Sequence, residues 1–161
     1  MNKAFLLTGG NLDNRKQSLA TARTFINEQC GTVINSSSLY ETAAWGKKDQ
    51  PAFLNQALEI NTSLNARQLI RKILKIEKMM GRVREEKYGP RLIDIDILLF
   101  NNEKYNYHFL QVPHPEMQNR RFALLPLAEI APTLMHPVLK KTIIELLYEC
   151  KDELAVKKIT D

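Results

Sequence analysis

Phe53-Leu54-Asn55-Gln56-Ala57-Leu58-Glu59-Ile60-Asn61-Thr62 alternates apolar and polar side chains well enough for a strand. Upstream, residues 32–40 are rich in β-branched and hydroxyl residues and read as a second strand, and residues 41–51 are turn-like. The spacing suits an antiparallel pair. Further back, residues 4–8 form a short buried strand, which Gly9-Gly10-Asn11 breaks into a turn before a helix over residues 15–29. Leu19, Ala22, Ile26 and Cys30 recur at helical spacing there, and Gly31 offers a C′ stop.

Downstream, Asn65 caps a helix running to about Met80, with Ala66, Leu69, Ile70, Ile73 and Met80 as its apolar stripe and Gly81 as its stop. Glu77 intrudes on that stripe. A long loop over residues 82–91 leads into a strand over residues 92–100. Pro113, Pro115, Pro126, Pro132 and Pro137 then punctuate short elements, and Thr142 caps a last helix through about Cys150. Strands and helices alternate without the strict rhythm of a doubly wound sheet. The expected fold is α+β and ferredoxin-like, a mainly antiparallel sheet with helices packed on it, as one domain over residues 1–161.

A chain of 161 residues, 44% hydrophobic and 25% charged, is ordinary for one domain with a real core. Residues 4–7 are too short for a signal h-region, and no later apolar run reaches membrane-spanning length. Cys30 and Cys150 lie far apart without C-x-x-C spacing, which argues against a disulfide framework or a zinc site. The expectation is a soluble, unprocessed, cytoplasmic protein with no membrane partner. A net charge of +5 suggests an anionic partner.

The sharpest chemical feature is Arg91-Leu92-Ile93-Asp94-Ile95-Asp96-Ile97-Leu98, two acids two positions apart in an otherwise apolar strand. Both carboxylates then point to one face. Such a pair needs cations or a metal if buried, and magnesium, which favours carboxylate and phosphate oxygens, suits it. The plain alternative is an edge strand with a solvated face and Ile93, Ile95 and Ile97 turned to the core. Arg82 and Arg84 precede the pair on a loop able to reach phosphates, which guanidinium groups match bidentately. Glu77 reads either as a site acid or as an ion-pair partner of those arginines. His114, between Pro113 and Pro115, suits a ligand contact or a plain turn. Phe53 and Asn55 share a face, an aromatic plate beside an amide that can read a heterocycle, or simply a half-buried strand. Phe122 and Trp45 carry the same ambiguity.

Residues 87–98, Lys87-Tyr88-Gly89-Pro90-Arg91-Leu92-Ile93-Asp94-Ile95-Asp96-Ile97-Leu98, resemble the signature of the hydroxymethyl-dihydropterin pyrophosphokinase family. The remaining motifs are similar in order: Gly9-Gly10-Asn11, Asp49-Gln50-Pro51 with Phe53-Leu54-Asn55, Ile76-Glu77 before Gly81-Arg82-Val83-Arg84, and Val112-Pro113-His114-Pro115 leading to Asn119-Arg120-Arg121-Phe122. Coverage runs from about residue 3 to 148.

The resemblance implies transfer of an intact diphosphate from ATP, the co-substrate, to the hydroxymethyl group of a reduced pterin, giving AMP and the pterin diphosphate of folate synthesis. It implies two Mg2+ ions on Asp94 and Asp96, with Asp96 also helping to take the proton. Arg82 and Arg91 match the family's catalytic arginines, Arg84, His114 and Arg120 its nucleotide contacts, and Glu77 lies on the nucleotide side. Phe53 and Phe122 match two plates that sandwich the pterin, while Asn55 and the backbone at Thr42, Ala43 and Trp45 read its polar edge. The loop over residues 82–91 would close over both substrates.

Ala43-Ala44 stands where many members carry proline, and Tyr88 where some carry tryptophan. No Walker A sequence occurs, which leaves a P-loop kinase unsupported. A monomer is the default. A nucleic-acid-binding module is disfavoured, because the acidic pair repels phosphates unless metal intervenes. Another metal-dependent phosphotransferase would release ADP or inorganic phosphate instead of AMP.

Overall fold

The computed structural model describes residues 1–43, 51–81 and 92–159. In chain order these form β1 (Asn2–Gly10), α1 (Arg15–Gln29), β2 (Thr32–Ser36), β3 (Leu39–Thr42), β4 (Phe53–Thr62), α2 (Ala66–Met79), β5 (Asp94–Phe100), β6 (Tyr105–Tyr107), β7 (Leu110–Val112), a 3₁₀ turn (Met117–Asn119), α3 (Arg121–Ile130), α4 (Ile143–Glu149) and β8 (Val156–Ile159). The main sheet runs β5-β1-β4-β3-β8, with β2 also paired to β4 and every pairing antiparallel. β6 and β7 make a separate hairpin.

Residues 32–40 do not form one strand. β2 pairs with the end of β4, Thr32 opposite Asn61, and β3 pairs with its beginning, Thr42 opposite Phe53. Buried Ser37 bridges the break: its N–H donates to the Ala57 carbonyl at 2.9 Å, and its Oγ accepts from the Ala57 N–H at 2.9 Å. Taken as one interrupted strand, β2 and β3 complete the β-α-β-β-α-β path of a ferredoxin-like fold.

The helix starts follow local hydrogen-bond chemistry. The Asn14 side chain accepts from the Gln17 N–H, while Asn65 with Gln68 and Thr142 with Glu145 form reciprocal capping boxes. α1 stops at Gln29 as expected, but Gly31 has no left-handed φ. It is small because a Cβ there would lie 2.2 Å from the Asn61 carbonyl oxygen on β4.

The sheet is covered on both faces. Ala4, Leu6, Leu58 and Ile60 pack with Leu19, Ala22 and Ile26 of α1 and Leu69, Ile73 and Ile76 of α2. Phe5, Leu7, Leu98 and Leu99 pack with Leu124 and Leu127 of α3 and Ile143 and Leu146 of α4. Each large aliphatic or aromatic side chain buried in this way contributes up to about 1.5–3 kcal/mol by transfer. α4 forms where Thr142 was expected to cap a last helix, whereas α3, the β6–β7 hairpin and β8 go beyond the sequence reading. β1 is also longer than expected, and Gly9 and Gly10 belong to it instead of to a turn. Among the described residues no helix is long and apolar enough to cross a membrane.

Candidate active site

The pairing register builds the floor of a cleft. Asp94 on β5 lies opposite Gly9 on β1, Gly9 opposite Asn55 on β4, and Asn55 opposite Tyr40 on β3. This row crosses four strands, and two inter-strand spacings put Asp94 about 10 Å from Asn55. Asp96 lies opposite Leu7 and is about 7 Å further along the same face. The pleat turns Ile93, Ile95 and Ile97 into the α1–α2 core, each at most 5% exposed, and leaves both aspartates half-buried. The register shifts where Phe5 faces Leu99 and Leu6 faces Ile97, leaving Leu98 as an extra residue on β5 that ends this alternation, so Leu98 and Leu99 both enter the α3–α4 core.

The cleft, about 680 Å³ with the solvent space at its mouth included, is lined by Leu7, Gly9, Thr42, Ala43, Phe53, Asn55, Asp94, Asp96, Arg120 and Phe122. Gly9 is required by close approach: a Cβ there would stand 2.2 Å from Asn55 Nδ2. The buried Asn55 amide donates to the Thr8 carbonyl at 3.2 Å. Thr42 Oγ1 is buried and finds no hydrogen-bond partner among the described residues, a cost of about 1–3 kcal/mol unless a ligand or water meets it. Phe122 enters from α3, whose start also brings Arg120, its guanidinium carbon 5.7 Å from the Phe122 ring centroid. Tyr40 secures that helix to the sheet by donating to Glu129 Oε1 at 2.6 Å, and burial followed by this bond pushes the phenol's pKa up.

A second hollow, between β5 and β7, includes Ile70, Ile95, Asp96, Gln111 and His114 in its lining. Asp96 thus borders both spaces. The His114 N–H donates to the Leu98 carbonyl at 3.0 Å, and its Nδ1 accepts from the Glu116 N–H at 3.1 Å. Burial and then Arg120 lower its pKa, against weaker pulls from Glu116 and Asp94. The neutral ring, with Nδ1 accepting, carries its proton on Nε2.

Glu77 lines neither space. It is 4% exposed within α2, and its Oε2 accepts the Ile95 N–H at 2.7 Å, between the two aspartates. That contact ties the helix to the backbone of the acidic strand. Arg120 lines the cleft with the aromatic residues and is also close enough to His114, in the other hollow, to lower its pKa. Trp45, Arg82, Arg84 and Arg91 fall outside the described residues, as does the loop expected to close over the substrates. Leu7 and Gly9 were not singled out as cleft residues; their spacing of two along β1 was the available signal.

Carboxylates are suitable magnesium ligands, and the ion commonly takes one or two of them with substrate phosphates and water. Asp94 and Asp96, on one face and accessible from the cleft, fit that donor set.

Fold and cleft define a class: an α+β domain whose antiparallel sheet carries paired carboxylates beside an aromatic-walled cleft. The family profile of 7,8-dihydro-6-hydroxymethylpterin-pyrophosphokinase (HPPK) matches residues 5–132, and the chain belongs to that family. A Bacillus subtilis protein named 2-amino-4-hydroxy-6-hydroxymethyldihydropteridine pyrophosphokinase is 45% identical over 130 residues, 80% of this chain and 78% of that one. A Haemophilus influenzae protein of the same name is 35% identical over 158 residues, covering 98% of each. Among solved structures, Plasmodium falciparum HPPK-DHPS wild type with SDX-DHP superimposes with a TM-score of 0.74 at 22% identity. That match covers 92% of this chain but 43% of the other and speaks for the fold alone.

Proposed function

We propose that this chain transfers an intact diphosphate from ATP to the hydroxymethyl group of 6-hydroxymethyl-7,8-dihydropterin, yielding AMP and the pterin diphosphate for folate biosynthesis. Family membership supports the reaction. The observation that carries the site reading is the register row Asp94, Gly9, Asn55, which sets the acidic pair and a heterocycle-reading amide on one cleft floor between Phe53 and Phe122.

In this reading Phe53 and Phe122 stack the pterin, Asn55 reads its polar edge, and the Thr42 hydroxyl gains the partner it otherwise lacks. Thr42 and Ala43 complete that wall, and the backbone from Thr42 to Trp45 is assigned the pterin's polar edge. The nucleotide occupies the hollow beside Asp96, where His114 Nε2–H donates to one of its oxygens. Arg120 lies between the two and neutralises phosphate charge, Arg84 contacts the nucleotide, and Arg82 and Arg91 counter charge on the moving group. Glu77 holds the strand that presents the acids. Asp94 and Asp96 hold two Mg2+ ions. When bound, these lower the hydroxyl's pKa and offset phosphate charge. Asp96 is placed to take the hydroxyl proton, and the pair of binding spaces holds nucleophile and phosphorus in line. The protein works as a single-domain cytoplasmic monomer.

The test is nucleotide product analysis with ATP, magnesium and the pterin, with controls lacking either metal or pterin. AMP appearing only with all three, in step with pterin diphosphate, is the expected result. ADP or inorganic phosphate would place the chain with another phosphotransferase chemistry.

A further inference from the structure

Arg15, the first residue of α1, joins both strands that wall the cleft. Its Nη1 donates to the Ala52 carbonyl at 2.9 Å and lies 2.7 Å from Glu41 Oε2. Beside it, the buried Asn11 donates from Nδ2 to the Pro51 carbonyl at 3.0 Å. Glu41 immediately precedes Thr42, and Ala52 immediately precedes Phe53; Thr42 and Phe53 are cross-strand partners and both line the cleft. One guanidinium therefore clamps the end of the β3–β4 ladder next to the pair that forms the wall. The backbone spacing between Thr42 and Phe53 is referred in this way to α1, whose start is itself fixed by the Asn14 cap.

We infer that Arg15 is a positioning residue for the pterin-side wall, acting through Glu41 and Ala52 on Thr42 and Phe53. It rests on the reading of this cleft as the pterin site. Both contacts run through the single Nη1, whose two hydrogens lie in the guanidinium plane and serve a carboxylate and a carbonyl at once; a lysine ammonium also carries several donors but on a shorter stem, and keeps the contacts only in part. The Arg15 and Glu41 side chains are 29% and 33% exposed, so their ion pair adds little to global stability. Its effect is read in one substrate's affinity.

The experiment compares Arg15→Met, Arg15→Lys and Glu41→Gln with the unaltered chain, measuring KM for pterin and for ATP, kcat, pterin Kd by calorimetry, and Tm. Arg15→Met should raise pterin KM and Kd about tenfold while ATP KM stays within about twofold. Its Tm should move by less than about 2 °C. Arg15→Lys should recover part of the loss, and Glu41→Gln, which keeps the Ala52 contact, should lose less than Arg15→Met. Unchanged pterin affinity in folded Arg15→Met, or equal rises in both KM values with a fallen Tm, would overturn the assignment. Absence of pterin binding by the unaltered chain would overturn the reading of the cleft beneath it.

Discussion

The two faces of β5 carry opposite assignments on consecutive residues. Ile93, Ile95 and Ile97 are sealed into the α1–α2 core, whereas Asp94 and Asp96 stand half-buried over a cleft. Pleating separates stability from chemistry at single-residue resolution, so the two can be broken independently. β1 behaves likewise: Ala4 and Leu6 enter one core, and Leu7 and Gly9 floor the site.

The largest effect is expected on the chemical face. Asp96→Ala should lower turnover by at least about 10³-fold, since both proposed binding spaces border this carboxylate. Tm should stay close to that of the unaltered chain, because the half-buried carboxylate faces the cleft and not a core. Steady-state AMP formation with a parallel thermal melt checks both halves. On the structural side, Ile73→Ala in the fully buried α2 stripe should cost about 2–5 kcal/mol in urea unfolding, with KM values near those of the unaltered chain at low temperature. A mutation that moved both quantities together would blur the division between the faces.

Gly9→Ala sharpens the comparison within the floor. The added methyl displaces the Asn55 amide and its bond to the Thr8 carbonyl, so pterin affinity should fall about 10- to 100-fold, with about 1–3 kcal/mol of stability lost beside it. Calorimetric titration with pterin measures it.

The smallest effect concerns pH. Burial, and for His114 also Arg120, depresses the pKa of His114 and of His136 in the folded state. Below about 6.5 the unfolded chain takes up those protons first, so stability present above that pH falls as pH drops through the folded values. Urea melts at neutral and mildly acidic pH should show this loss, and His114→Gln should reduce it. The His136 share remains in that variant, its Nδ1 accepting from the Val138 and Leu139 N–H groups.

The legible parts were those with local causes. Asn65 and Thr142 announced helix starts because a cap and its third following residue are sequence neighbours. Asp94 and Asp96 shared a face because strand period is two. Glu77 stood out as an acid on an apolar stripe, although its bond to the Ile95 N–H depends on a strand eighteen residues away. α3 escaped because Pro126 sits inside it, where a proline normally costs about 3 kcal/mol. Burial of Ala123, Leu124, Leu127 and Ala128 in the core with Phe5, Leu7, Leu98 and Leu99 overrides that cost, and their spacing was a helical signal that proline masked. The break at Ser37 and the pairing of β8 with β3 are tertiary facts with no local signature.

The most direct test of the central claim is a crystal structure with the pterin and a non-hydrolysable ATP analogue. The expected result is the ring between Phe53 and Phe122, against Asn55, with its hydroxymethyl group toward Asp96 and the nucleotide in the hollow beside His114. A pterin seated between β5 and β7, with the cleft over Gly9 left to the nucleotide, would contradict it.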